Sequence, residues 1–318
     1  MTWQRLSSAD LRDQMGGSAR ARYDYPTILL ALAIYGSWLM LLFLHERLPW
    51  WILAPVAGYV VQWHSSLQHE AIHSFQGVPR WLRTAIVWPP IGLCLPFELF
   101  RRSHILHHRN SHLTFPGEDT ETYYHDAEVW EDFGRPWRVL LVINQTFFGR
   151  VLIGPLLWTA NLYRNEAMAI ASGDRANVRI WLRHVAGVTT VLAIVVVGFG
   201  LPVSRYLVAF VYPGLMLGMM RSFIEHRWDE RPSERTAVVE SNWMVGLLYL
   251  FNNLHAVHHL APSLPWYRLR RVWREHGAHI RSQNGDFVFR GYGEIALRWL
   301  VRPNFIPVHP PSRLDVRG

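Results

Sequence analysis

Lysine is absent from this chain: all 32 of its basic residues are arginine, set against 24 acidic ones. That bias follows genome composition and carries no functional reading. Cysteine is nearly absent as well. The one residue, Cys94, excludes an intramolecular disulfide and any cysteine-rich metal or redox motif, and its apolar surroundings predict a small packed side chain. Charge is missing over four long stretches: Thr27–Leu44, Trp50–Leu67 and Val185–Val203 hold none, and Tyr206–Ile224 holds only Arg221. Runs of that length exclude an ordinary soluble domain and predict an integral membrane protein.

Histidine is what the chain has in plenty, with 17 residues. His104, His107 and His108 fall at relative positions 0, 3 and 4, which on a helix share one face. His255, His258 and His259 repeat the spacing, and a pair, His69 and His73, precedes both groups. One such triplet would arise by chance in roughly 5 of 100 chains of this composition, and two in about 1 of 1000. Clustered imidazoles without cysteine point to a metal bound through nitrogen, with iron, zinc, copper and nickel all open. Isolated histidines (His45, His64, His125, His184, His276, His279 and His309) are expected in capping or interfacial roles. His112, four residues beyond His108 in a turn-like stretch, is a candidate further ligand.

The four runs pair into two transmembrane hairpins, joined by the short links HERLPW and LPVSR. The first run is expected to be retained, since a second span follows at once where a cleavage site would lie. Each hairpin leads onto histidines: His64, His69 and His73 after the first, His226 after the second. Between them, residues 84–100 are apolar but carry Pro89, Pro90 and Pro96, which argue for a re-entrant or interfacial segment and against a straight span. Residues 113–135 are acidic and turn-rich, and 137–163 mix apolar runs with arginine as an interfacial helix does. With this topology the outer loops hold only Arg47 and Arg205, and the other 30 arginines lie on the opposite side. The positive-inside rule then places both termini and every histidine group in the cytoplasm. The expected fold is an all-α membrane protein: a cytosolic tail (1–25), a four-span domain with interfacial helices and a histidine-rich cap (26–270), and a cytosolic C-terminal region (271–318).

HEAIH, HILHH and HAVHH, separated by two hairpins and followed by PSLPWYRL, resemble the three histidine boxes of the membrane fatty acid desaturase and hydroxylase superfamily, and most closely its bacterial acyl desaturases. The resemblance covers roughly residues 27–270. It implies a non-haem di-iron centre, with dioxygen as co-substrate, held by His69, His73, His104, His107, His108, His255, His258 and His259, with His226 as the intervening ligand. It also implies a supporting asparagine before the last box, Asn252 or Asn253. Glu70, Glu98, Asp119 and Glu225 are the carboxylates near enough in sequence to orient the rings. No electron-carrier domain is visible in the termini, so a separate donor such as a ferredoxin is expected, with Arg268, Arg270, Arg271 and Arg274 as candidates to meet it. The remaining partners are the bilayer, taken to be the bacterial inner membrane, and a lipid or acyl-chain substrate, with no nucleic acid.

The implied function is oxygen-dependent acyl-lipid desaturation. Within the superfamily the alternative is a hydroxylase or ketolase acting on a lipid, carotenoid or alkane. The additional histidine-rich signatures of the alkane hydroxylases are missing here. Outside it, the alternative is a histidine-based metal transporter, although transporters place such ligands within their spans and these runs are almost free of histidine.

Overall fold

The structure, a computed structural model, describes residues 24–310 except Gln76 and Ser111. The expected N-terminal tail therefore lies almost wholly outside the described residues. Helix α1 (Tyr25–Leu44) opens on Asp24, whose carboxylate accepts from the Thr27 amide at 3.3 Å and hydroxyl at 2.8 Å. Helix α2 (Trp50–His73) does not stop at Leu67 but runs on to carry His69 and His73. It crosses the final stretch of the second hairpin closely: a Cβ on Gly58 would lie 2.5 Å from the Pro213 side chain, and one on Gly214 2.6 Å from Val61. Only glycine at both positions lets the two backbones meet.

Among the described residues three helices are long and apolar enough to cross a membrane: Tyr25–Leu44, Arg175–Gly198 and Val203–Ser222. Helix α2 has the length, at 24 residues, but Gln62, His64, Ser66 and Gln68 dilute its apolar character. Those groups face protein. His64 Nε2 lies 3.1 Å from the Tyr35 hydroxyl, Ser66 donates to the Leu248 carbonyl at 2.8 Å, and Gln68 donates to the Val87 carbonyl at 3.0 Å. A helix wrapped by other helices has no need of a lipid-compatible surface.

After α2 come α3 (Arg80–Val87), a non-helical stretch at 88–96, and α4 (Phe97–Arg109). The prolines do break the expected segment, and side chains from four helices accept the task of pairing its freed carbonyls. Tyr35 donates to Ile86 O at 2.5 Å, Gln68 to Val87 O, Tyr206 to Ile91 O at 2.6 Å, and His184 Nε2 bonds Leu93 O at 2.8 Å. Irregular backbone among apolar helices is tolerated where protein satisfies it in this way. Cys94 is half-buried beside this turn, a packed side chain as expected.

The 137–163 region is not one helix but three: α6 (Arg135–Ile143), following the short α5 (Ala127–Asp132), then α7 (Phe147–Leu152) and α8 (Gly154–Ala171). Thr146 caps α7 by accepting from Gly149 N at 2.9 Å, and Pro155 starts α8 afresh. Helix α9 (Arg175–Ala193) extends into a wide π turn at Ile194–Gly198. The return consists of α10 (Val203–Tyr206), a second π turn at Leu207–Val211, and α11 (Tyr212–Ser222). The second wide turn sits just ahead of Pro213, whose ring cannot be accommodated by an unbroken α-helical ladder.

The cap contains one small sheet absent from the all-α expectation. Strands β1 (Val238–Val239) and β2 (Val288–Phe289) pair in parallel, Val238 with Val288 and Val239 with Phe289. They seat the third box: Ala256 N donates to Ala237 O at 2.9 Å and Val239 N to Asn253 O at 2.8 Å. Around them lie α12 (Trp243–Leu248), α13 (His255–Leu260), α14 (Trp266–Gln283) and α15 (Tyr292–Trp299). Helix α14 runs through 270–271, where the sequence suggested a boundary, and Leu269, Val272 and Ile280 from both sides of it pack in one apolar cluster.

Candidate metal centre

Helix α2 brings His69 and His73, α4 brings His104, His107 and His108, and α13 brings His255, His258 and His259. His226 follows α11, fixed by an antiparallel bridge to Thr236. The nine rings form two groups, in each of which the ligand atoms lie within 4.8 Å of one another: His69, His73, His104, His108 and His258 in one, His107, His226, His255 and His259 in the other. Helical spacing explains the division. In both three-histidine boxes the residues at 0 and +4 share a group and the +3 residue crosses to the other, with the assignment reversed between α4 and α13.

The rings converge through Nε2. His104 and His108 approach to 3.1 Å, His108 and His258 to 3.0 Å; in the second group His226 lies 3.1 Å from both His107 and His255, and His255 lies 3.2 Å from His259. Nitrogens that each face two others cannot all be satisfied by sharing protons, and His73 Nε2 is buried with no hydrogen-bond partner. A cation at the focus of each group satisfies them together.

The outer nitrogens are held by protein. His107 Nδ1 donates to Asp119 at 2.7 Å and His104 Nδ1 to Glu121 at 2.8 Å. His226 Nδ1 bonds the Arg235 carbonyl at 3.3 Å, and His255 Nδ1 faces Asn252 Oδ1 at 3.3 Å and Glu225 at 3.5 Å. Proton on Nδ1 leaves the Nε2 lone pair free, the tautomer that a metal needs. Asp119 is itself fixed by the amides of Thr114 at 2.7 Å and Glu121 at 2.9 Å.

Electrostatics favour neutral rings over most of the cluster. Burial, then neighbouring imidazoles, hold His255, His258 and His259 well below the ordinary histidine range, and burial with His107 beside it lowers His226 to about 3. At His107 burial again opposes charge, but Glu121 and Asp119 outweigh it and raise the ring to about 9. Burial works against ionised Glu121 too, yet His107 and His104 keep it well below its usual value. These carboxylates create a negative potential suited to a cation.

Several expected residues stand elsewhere. His112 is exposed, bonded to Glu118 at 2.6 Å, and outside both groups. Glu70, beside His69 in sequence, turns from the rings to accept from Ser74 and from Trp266 N at 3.1 Å, and so ties α2 to the PSLPW segment. Asn252 is the asparagine at the site, 3.2 Å from His69 Nε2, whereas Asn253 donates to Val239 O at 2.6 Å. Glu225 pairs with Arg221 at 2.8 Å while facing His255. Glu121 was missed by the sequence reading; its only signal there was an acid two residues from Asp119. Of the arginines suggested for a donor, Arg270 lies over the Trp243 ring and Arg271 pairs with Glu275 at 2.7 Å.

No curated protein matches the chain. The sequence profile of the family described as fatty acid desaturase matches residues 46–291, which take in all three boxes, His226, Asp119 and Glu121. The chain, an apolar helical protein whose histidines gather into two metal-competent groups, belongs to the fatty acid desaturase family.

Proposed function

We propose that the protein is an integral membrane, oxygen-dependent acyl-lipid desaturase with a di-iron centre held by the nine grouped histidines. Two hairpins, α1–α2 and α9–α11, make four spans, and the termini and cap face the cytoplasm at the bacterial inner membrane. The observation that carries the reading is the gathering of nine histidine nitrogens into a set of five and a set of four, each within 4.8 Å. Sets of five and four neutral nitrogen donors suit a six-coordinate metal such as iron, with positions left open in both groups.

Two irons bound there would supply an oxidant able to break an unactivated C–H bond, with dioxygen as co-substrate and electrons from a separate donor. The chain's own residues do the positioning. Asp119 and Glu121 keep protons on the Nδ1 atoms of His107 and His104. Asn252, between His69 and His255, links the first box to the third. The buried rings and the apolar clusters behind them exclude water, and an acyl chain would enter from the bilayer between the hairpins. The PSLPWYRL continuation, which resembles acyl desaturases, supports double-bond formation over oxygen insertion.

A chain deuterated at two adjacent carbons tests the reading. Desaturation gives a product two deuteriums lighter with a double bond. A product that has lost one deuterium and retains an oxygen atom from dioxygen would overturn it in favour of a hydroxylase.

A further inference from the structure

The C-terminal segment of the cap carries a surface that the metal site does not use. Leu297 is 86 % exposed and Val301 75 %, with Leu300 and Ile306 also open. Two backbone bonds lay this segment along the α6–α7 connection: Phe148 N donates to Leu300 O at 3.0 Å and Asn304 N to Gln145 O at 2.8 Å. Exposed Ile143 and Phe148 thereby continue the same apolar surface. Arg298, its guanidinium 4.9 Å over Trp299, and exposed Arg302 flank it, while Glu294 is engaged in accepting from Arg290 N at 2.8 Å.

The depth of this surface can be read from α7. Tyr212 donates its hydroxyl to the Leu152 carbonyl, and along the helix Tyr212 lies about 15 Å from Ser222, at the end of a helix apolar enough to span. Helix α7 thus runs from the cap-side end of that span, where the Phe147 ring lies 5.6 Å from Phe223, to well below it at Leu152, and Phe148 on the same helix is bonded to Leu300. Large apolar side chains continuous with the wall of a spanning bundle and bordered by arginine match the interior edge of a lipid leaflet, with acyl chains below and phosphates above.

We propose that residues 297–306, with Ile143 and Phe148, form a monotopic membrane anchor: the apolar side chains enter the upper acyl region and Arg298 and Arg302 meet lipid phosphates. The anchor is strapped to the metal centre's surroundings. Asn304 Nδ2 reaches Phe223 O at 3.5 Å, three residues before His226, and His125 N donates to Pro307 O at 3.0 Å, four residues after Glu121. It holds the cap against the bilayer.

The test uses the full chain with Cys94→Ser, reconstituted in phosphatidylcholine–phosphatidylglycerol vesicles and labelled with an environment-sensitive fluorophore at one introduced cysteine. Leu297→Cys and Val301→Cys are compared with Leu29→Cys on the lipid-facing side of α1 and with Ala278→Cys on α14. Acyl-brominated lipid should quench labels at 297 and 301 as it quenches 29, and aqueous iodide should quench them far less than 278. Iodide quenching equal to that at 278 would overturn the anchor. Protection from both quenchers would also overturn it, showing a second protein copy on the surface in place of lipid.

Discussion

Asp119 and Glu121 decide which nitrogen of His107 and His104 is free to bind, because each accepts a hydrogen bond from Nδ1 and so keeps the proton there. Replacing a group that orients a metal-bound histidine typically costs about 10–100-fold in metal affinity. Glu121→Gln and Asp119→Asn should each weaken iron retention by that order, measured by competition with a chelator. His107→Ala and His258→Ala, which remove a ligand from each group, should lose most of the iron and the turnover, and His112→Ala should change neither. Full iron in the Glu121 variant would remove the orienting role. The box histidines were legible in the sequence because a 0, 3, 4 spacing places three rings on one helical face whatever surrounds it. Glu121 was not, since 17 residues separate it from His104 and only the turn that Asp119 fixes brings it back. Glu70 and Asn253 show the converse. Each adjoins a site residue in sequence, but one step along the chain turns a side chain away from its neighbour's target.

At the scale of elements, the crossing of α2 and α11 positions the first box relative to His226. Gly58→Leu would force a side chain into Pro213, and overpacking of this kind typically costs about 1–3 kcal/mol. The thermal midpoint should fall, while Gly36→Ala, whose added methyl meets nothing within 4 Å, should leave it unchanged or slightly higher. Helices α1, α2, α9 and α10–α11 were all visible as long runs almost without charge. Helix α2 carried a mixed signal because its polar residues bond other helices, and the pairing of β1 with β2 left no trace in two-residue strands. A second prediction concerns the strap at 307–309. His309, buried among Phe115, Tyr124 and Trp228, is lowered to about 4 by burial and by Arg235, with Asp126 opposing. The folded state therefore resists its protonation. Its contribution is complete above the ordinary value of 6.5 and is lost as pH falls from there towards 4. The emission of Trp228, whose ring lies 6.0 Å from His309, should change as pH falls through about 4, and His309→Gln should remove the change.

For the whole molecule, the arginine distribution and the two hairpins make one topological prediction. Reporters placed between Glu46 and Pro49, or between Phe199 and Pro202, should be external, and reporters at both termini cytoplasmic. Either loop found in the cytoplasm would reject four spans. The reversed division of the two three-histidine boxes has a further consequence for biogenesis. Because α4 and α13 each serve both groups, no part of the chain that ends before α13 carries either histidine group complete. A nascent polypeptide that has emerged as far as Leu250 lacks His258 from one group and both His255 and His259 from the other. The second group, which has only two of its four histidines before α13, then forms only once α13 has followed both hairpins out, so a half-made chain lacks the paired centre. A chain ending at Leu250 should insert in the membrane yet give up its iron to a weak chelator, and tight retention by that fragment would show that loading begins during synthesis.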